Sequence, residues 1–112
     1  MFEMKLQKEY YEKMLFGTKN IELRLFDSKR ENIKIGDKIK FLNISCVEER
    51  IDTTVTALLH YSSFRELMDD FDISYLDDVT STKEELLNKL REIYSEADET
   101  KYGVLGIKIK RV

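Results

Sequence analysis

Apolar and polar side chains alternate with a period of two in five separate stretches of this chain, and that alternation limits its fold more than any other feature. The clearest case is "NIELRLF". Successive side chains of a strand point to opposite faces, so Ile21, Leu23 and Leu25 share one side while Glu22 and Arg24 share the other. "EMKLQ" and "KIKFLN" repeat the pattern on a smaller scale. "IDTTVTALLHY" is the longest run, rich in Thr and Val, with Ile51, Thr53, Val55, Ala57 and Leu59 on one face. The closing "YGVLGIKIKRV" places Leu105, Ile107 and Ile109 inward and Lys108 and Lys110 outward.

Between these runs the apolar spacing changes to that of helices. In "KEYYEKMLFG", Tyr11, Met14 and Leu15 share a face, Glu9 pairs at i,i+4 with Lys13, and Gly17 is placed to end the helix in a left-handed turn. "SFRELMDDF" begins with a capping-box pattern at Ser63 and Glu66, and "STKEELLNKLREIYSEAD" with the same pattern at Ser81 and Glu84. The second of these carries an apolar stripe of Leu86, Leu87, Leu90, Ile93 and Tyr94, which predicts one continuous helix. There is no proline, so the turns fall to the four glycines and to Asp, Asn and Ser, Gly36-Asp37 among them. The elements do not follow a strict βαβ alternation. The expected architecture is α+β: a small curled sheet or barrel of about five to six strands with about three helices at its edges, one domain over residues 1–112.

Composition narrows the function. Cys46 is the single cysteine, so neither an intrachain disulfide nor a thiolate zinc site can form, and at a strand end it reads as a small buried apolar residue. His60 is the single histidine, and with no second ligand in view no metal site is expected. No P-loop, dinucleotide-binding glycine run or HExxH is present, and no cofactor is expected. Charges begin at the third residue, no stretch approaches the roughly 20 apolar residues of a membrane helix, and a cytoplasmic location is the default expectation. The net charge of −3 is uneven: residues 66–100 hold twelve acidic and three basic side chains, and residues 101–112 hold four basic and no acidic ones. An acidic whole argues against duplex DNA as a partner, yet permits a local basic groove.

The residues richest in chemistry are Gly17, Lys19, Glu22 and Arg24. Alternating charge on a strand is ordinarily its solvated face, and the same pattern would also make the polar wall of a cleft. Their spacing, G-x-K-x-x-E-x-R, resembles the signature of the ASCH domain family. The "KIGD" turn before a strand, the "YSSFREL" segment and the closing "KYGVLGIKI" extend the resemblance to compact stand-alone bacterial members over almost the whole chain. The resemblance implies a PUA-like β-barrel that binds RNA, single-stranded or structured, or a modified nucleoside, in a cleft walled by the motif. It turns the reading of Lys19, Glu22 and Arg24 toward that cleft. There, Gly17 would let backbone approach a ligand, Lys19 would meet a phosphate or a carbonyl, and Arg24 would hold a phosphate or base edge with its planar fork. Glu22 would orient Arg24 or accept from the amino group of a base.

One branch of the family hydrolyses the amide of N4-acetylcytidine with a Lys, a Thr three residues later and a more distant Glu. Lys19 matches the Lys, but Glu22 stands at the Thr position, and the distant acid aligns near Val79, beside Asp77 and Asp78. If the chain were an enzyme of this kind or a ribonuclease, Lys19 and Glu22 would be its catalytic pair, with Glu22 acting on a water. His60, Tyr61 and Tyr102 are further candidates, because ring faces at a barrel mouth would stack on a base. Residues 19–40 hold seven basic and four acidic side chains, Lys29, Arg30, Lys34, Lys38 and Lys40 among them; they read equally as one bank of a nucleic-acid groove and as solvated surface.

Overall fold

The computed structural model describes residues 2–77 and 82–112. Five strands form one sheet: β1 (Phe2–Leu6), β2 (Ile21–Leu25), β3 (Lys38–Asn43), β4 (Cys46–Tyr61) and β5 (Val104–Arg111), in the order β1-β3-β4-β5-β2. β1 pairs with β3 in parallel, and every other pairing is antiparallel. The two edge strands are β1 and β2, and α1 (Lys8–Phe16) joins them in sequence. The sheet curls so that these edges approach each other, giving the small curled sheet that the alternation predicts and the PUA-like barrel that the resemblance implies. Among the described residues the remaining helices are α2 (Phe64–Asp70), α3 (Ile73–Leu76), α4 (Lys83–Ile93) and α5 (Glu96–Tyr102). None is long and apolar enough to cross a membrane.

Two cores flank the sheet. Inside the curl, Met4, Leu6, Ile39, Phe41, Ile51, Val55, Leu105, Ile107 and Ile109 pack with Tyr11 and Met14 of α1. On the opposite side of β2, Ile21, Leu23 and Leu25 pack beneath Phe64, Leu67 and Met68 of α2, Leu76 of α3 and Leu86 and Leu90 of α4. α2 comes close there because Gly106 has no side chain: a Cβ at that position would lie 2.9 Å from Leu67 Cδ1.

β4 changes sides along its length. Its register on β5 passes from Val55 opposite Ile109 to Ala57 opposite Lys108, leaving Thr56 as an extra residue. Beyond this bulge Leu58 faces the inner core, while Leu59 and Tyr61 join the outer one. The alternation of "IDTTVTALLHY" put Leu59 on the face of Val55, and a period-two rule holds only while no residue is inserted.

Other departures from the sequence reading have local causes. The expected single helix over residues 81–98 is two, because the Ser95 hydroxyl accepts from the Asp98 backbone N–H and starts α5 afresh. α4 is capped by Thr82, whose hydroxyl accepts from the Glu85 N–H at 3.1 Å, and the expected Ser81 cap lies outside the described residues. The Ser63 cap of α2 is present. Gly17 is extended, at φ −108° and ψ −155°, and not left-handed. It is glycine for space: a Cβ would sit 2.7 Å from the Lys13 carbonyl oxygen. Cys46 is exposed at the start of β4, after the tight β3–β4 turn, and is not part of either core. The acidic helices are mostly solvated, but Asp77 and Glu99 are buried, Glu99 against Arg91 at 3.2 Å.

Candidate functional site

The inward face of β2 carries Glu22 and Arg24 into the seam between the two sheet edges. The Arg24 Nη2–H group donates to the Lys5 carbonyl at 3.0 Å, reaching from β2 to β1. Its Nε and Nη2 also both meet Glu22 Oε2, at 2.9 and 2.8 Å. Lys19 Nζ lies 3.3 Å from Glu22 Oε1 and donates to the carbonyls of Ile21 at 2.7 Å and Leu76 at 3.1 Å. Leu76 is the last residue of α3, so Lys19 places its charge on a helix C-terminal carbonyl. The short α3 had no sequence signal beyond the Asp72 cap, which accepts from the Ser74 N–H.

These three side chains are therefore not a solvated face. Lys19 is 4% exposed and Glu22 6%. Burial alone would push the Glu22 carboxyl up, but the charges of Arg24 and Lys19 outweigh it and hold the group below the ordinary carboxylate range. Burial likewise pulls at the Arg24 guanidinium, and the Glu22 carboxylate more than restores its affinity for the proton. Oε1 of Glu22 keeps acceptor capacity beyond its contact with Lys19.

Above this charged floor opens a cleft of about 250 Å³. Its far wall is apolar: Leu86, Leu90, Ile93 and Tyr94 from α4 and its C-terminal end, facing Tyr10 of α1. Ile93 remains 53% exposed, an apolar-stripe residue that the described residues cover only in part. Burial pushes the Tyr94 hydroxyl's pKa up, with Arg24 opposing. Burial, reinforced by the charges of Asp77, Glu9 and Glu22, pushes that of Tyr10 up to about 12. Sequence reasoning used the α4 stripe only to predict a helix and so missed this wall; the signal was a stripe wider than one helix face needs for burial.

The other candidates lie elsewhere. Gly17 lines a second cleft, of about 510 Å³, with Lys13, Thr18 and Asp77. There Lys13 Nζ pairs with Glu9 at 3.0 Å and with Asp77 Oδ1 at 2.5 Å, and Asp77 Oδ2 is buried without a partner among the described residues. His60, Tyr61 and Tyr102 line a third depression, away from the motif. His60 sits edge-on to Phe26 with ring centroids 4.6 Å apart, and the Tyr61 hydroxyl donates to Asp70. The structure thus brings Lys19, Glu22 and Arg24 together and separates them from Gly17, His60, Tyr61 and Tyr102.

A curled five-stranded sheet with a charged, apolar-walled cleft at its seam defines a small PUA-like domain. The family model of the ASCH domain matches residues 4–112, and the chain belongs to the ASCH domain family. Among solved structures, the chain is similar to hypothetical protein PH0355, at 37% identity and a TM-score of 0.86, covering 99% of this chain and 98% of that one. It is also similar to protein PF0455 from Pyrococcus furiosus, at 35% identity and a TM-score of 0.77, covering 99% and 96%. No curated protein matches the chain significantly.

Proposed function

We propose that this ASCH domain is an RNA-binding module whose seam cleft takes one unpaired base. The observation that carries this reading is the union, in one cleft, of a buried Lys19–Glu22–Arg24 cluster with an apolar wall ending in Tyr94. Three interacting charges are costly to bury, and such clusters are kept where they serve recognition. A flat base would lie along Leu90, Ile93 and Tyr94, displacing water from apolar surface that is otherwise wet. Its polar edge would meet Arg24 as donor and Glu22 Oε1 as acceptor, a pairing that suits a base offering both a carbonyl and an amino group.

The chemistry supports binding over hydrolysis. A Glu22 carboxyl held below its ordinary range is a poor proton acceptor at neutral pH. Lys19 is committed to two carbonyls and a carboxylate, which leaves it badly placed to shuttle a proton.

The test is a backbone-amide NMR titration with a short unstructured RNA, then with cytidine and N4-acetylcytidine. Shifts centred on Glu22, Arg24 and residues 90–94 are expected with each. Silence at those amides would overturn the cleft as the binding site, and release of acetate from N4-acetylcytidine would replace the module with a hydrolase.

A further inference from the structure

The helices cover only part of the outer face of the sheet. They lie over β2 and the adjoining ends of β4 and β5, leaving no helix over the outward side chains of β1, β3 and the first half of β4, which are exposed or half-buried. Register places these residues in rows across the strands. Lys5, Leu42 and Arg50 make one row; Glu3, Lys40 and Asp52 the next; Lys38, Thr54 and Lys110 a third, with Lys108 beyond it on β5. These rows, with Lys108, therefore carry six cations against two carboxylates, and the exposed Glu48 and Glu49 follow on β4 beside Arg50. Among the described residues none of the six forms an ion pair, although Lys38 Nζ donates to the Thr54 hydroxyl at 2.8 Å.

This arrangement was invisible along the chain. Of the basic residues in 19–40, Lys19 and Arg24 are committed to the seam and Arg30 to Asp27, while Lys38 and Lys40 turn outward. Their partners on the face come from β1, β4 and β5, far away in sequence. The exposed acids of residues 66–100 ride on the helices that cover the rest of that outer face. The outer face is thus divided into a basic stretch of sheet and an acidic helical layer.

We propose that this sheet face is the track for the phosphate backbone of an RNA strand whose base enters the seam cleft, an inference that rests on the cleft reading above. Continuity argues for it. Lys5 lines the cleft and also begins the first row, so a cation recurs in every row from the cleft mouth to Lys110, with Glu3 and Asp52 flanking Lys40 in the middle row. Unpaired lysines on a sheet face without helices attract a polyanion by releasing its condensed counterions, a term indifferent to base sequence. The face supplies reach and the cleft supplies choice.

The experiment compares two triple variants of equal charge. Lys38→Gln, Lys40→Gln and Lys110→Gln strip the face, while Lys8→Gln, Lys83→Gln and Lys101→Gln remove three lysines elsewhere. Affinity for a single-stranded RNA of about a dozen nucleotides is measured against salt by fluorescence anisotropy. Removing three phosphate contacts should reduce the slope of log K against log salt by about 2, and the affinity at low salt about tenfold or more. The control variant should stay close to the parent. Equal losses in both variants, or none in either, would overturn the proposal, as would a dozen-mer that binds no tighter than a mononucleotide. Phosphatidylserine vesicles are a further arm: binding to them but not to RNA would overturn it in favour of a membrane surface. The NMR response of the cleft to free cytidine is read separately. If the face variant alone loses RNA while the cleft ignores cytidine, the track stands and the cleft reading fails.

Discussion

The guanidinium of Arg24 on β2 and the backbone carbonyl of Lys5 on β1 are 3.0 Å apart, and this contact spans the two edges of the sheet. The same side chain holds Glu22 through Nε and Nη2, so one residue both bridges the seam and neutralises its floor.

Arg24→Ala should therefore do more than lose a contact. It leaves the Glu22 carboxylate buried with Lys19 alone, a situation that costs about 3–5 kcal/mol when a buried pair is broken. Arg24→Lys should recover part of that loss, because an ammonium keeps the charge but cannot reach both Glu22 and Lys5. Urea denaturation of the three proteins checks the order.

Acid should expose the same cluster. The ordinary Glu value is 4.5 and the folded Glu22 value lies below it. Where the carboxyl is ionised in the folded protein but still protonated in the unfolded chain, stability rises with pH. The contribution of Glu22 is complete above about 4.5 and declines as pH falls through the lower folded value. Glu22→Gln should flatten the fall in urea midpoint below pH 4.5 relative to the parent, while lowering stability at pH 7. A parallel fall in both proteins would assign acid sensitivity to the surface carboxylates Glu9 and Glu84, which their basic partners also hold low.

Ile93 offers a cleaner probe of the cleft, since it lines the wall yet is half-exposed. Ile93→Gln should leave stability within about 0.5 kcal/mol of the parent. Loss of about 1 kcal/mol of apolar burial should weaken nucleoside binding about fivefold. An NMR titration gives the affinity, and thermal melting confirms that the fold is intact.

Gly17 and Gly36 should fail for different reasons when changed to Ala. At 17 the added methyl meets the Lys13 carbonyl, and the end of α1 must shift, at a cost of about 1–3 kcal/mol. At 36 there is open space but φ is +95°, so the cost is the dihedral itself, on the order of 1–2 kcal/mol. Hydrogen exchange of the α1 amides separates the two: only Gly17→Ala should lower protection there.

Much of this was written in local periodicity. All five strands follow from apolar spacing and the start of α2 from its Ser63 cap, because these are decided within a few residues. What escaped depended on partners remote in sequence. Lys19 and Glu22 look solvated until α3 and β1 close over them, and nothing near them in sequence announces either contact. Tyr94 reads only as the end of a helical stripe until the curl of the sheet leaves a gap beside it. The break at Ser95 was legible, since Ser95 and Asp98 repeat the capping spacing inside the helical stripe.

Thr56 has one more consequence. Because β4 exchanges its two sides at that residue, what the fold requires there is a position and not a side chain: an exposed threonine whose hydroxyl only touches the Lys108 carbonyl. Nearly any substitution should pass unnoticed. Deleting the residue would carry Leu58 out of the inner core and Leu59 out of the outer one in a single step. At this site the gene is constrained in reading length far more than in codon, and it should tolerate a library of replacements while rejecting the loss of three bases.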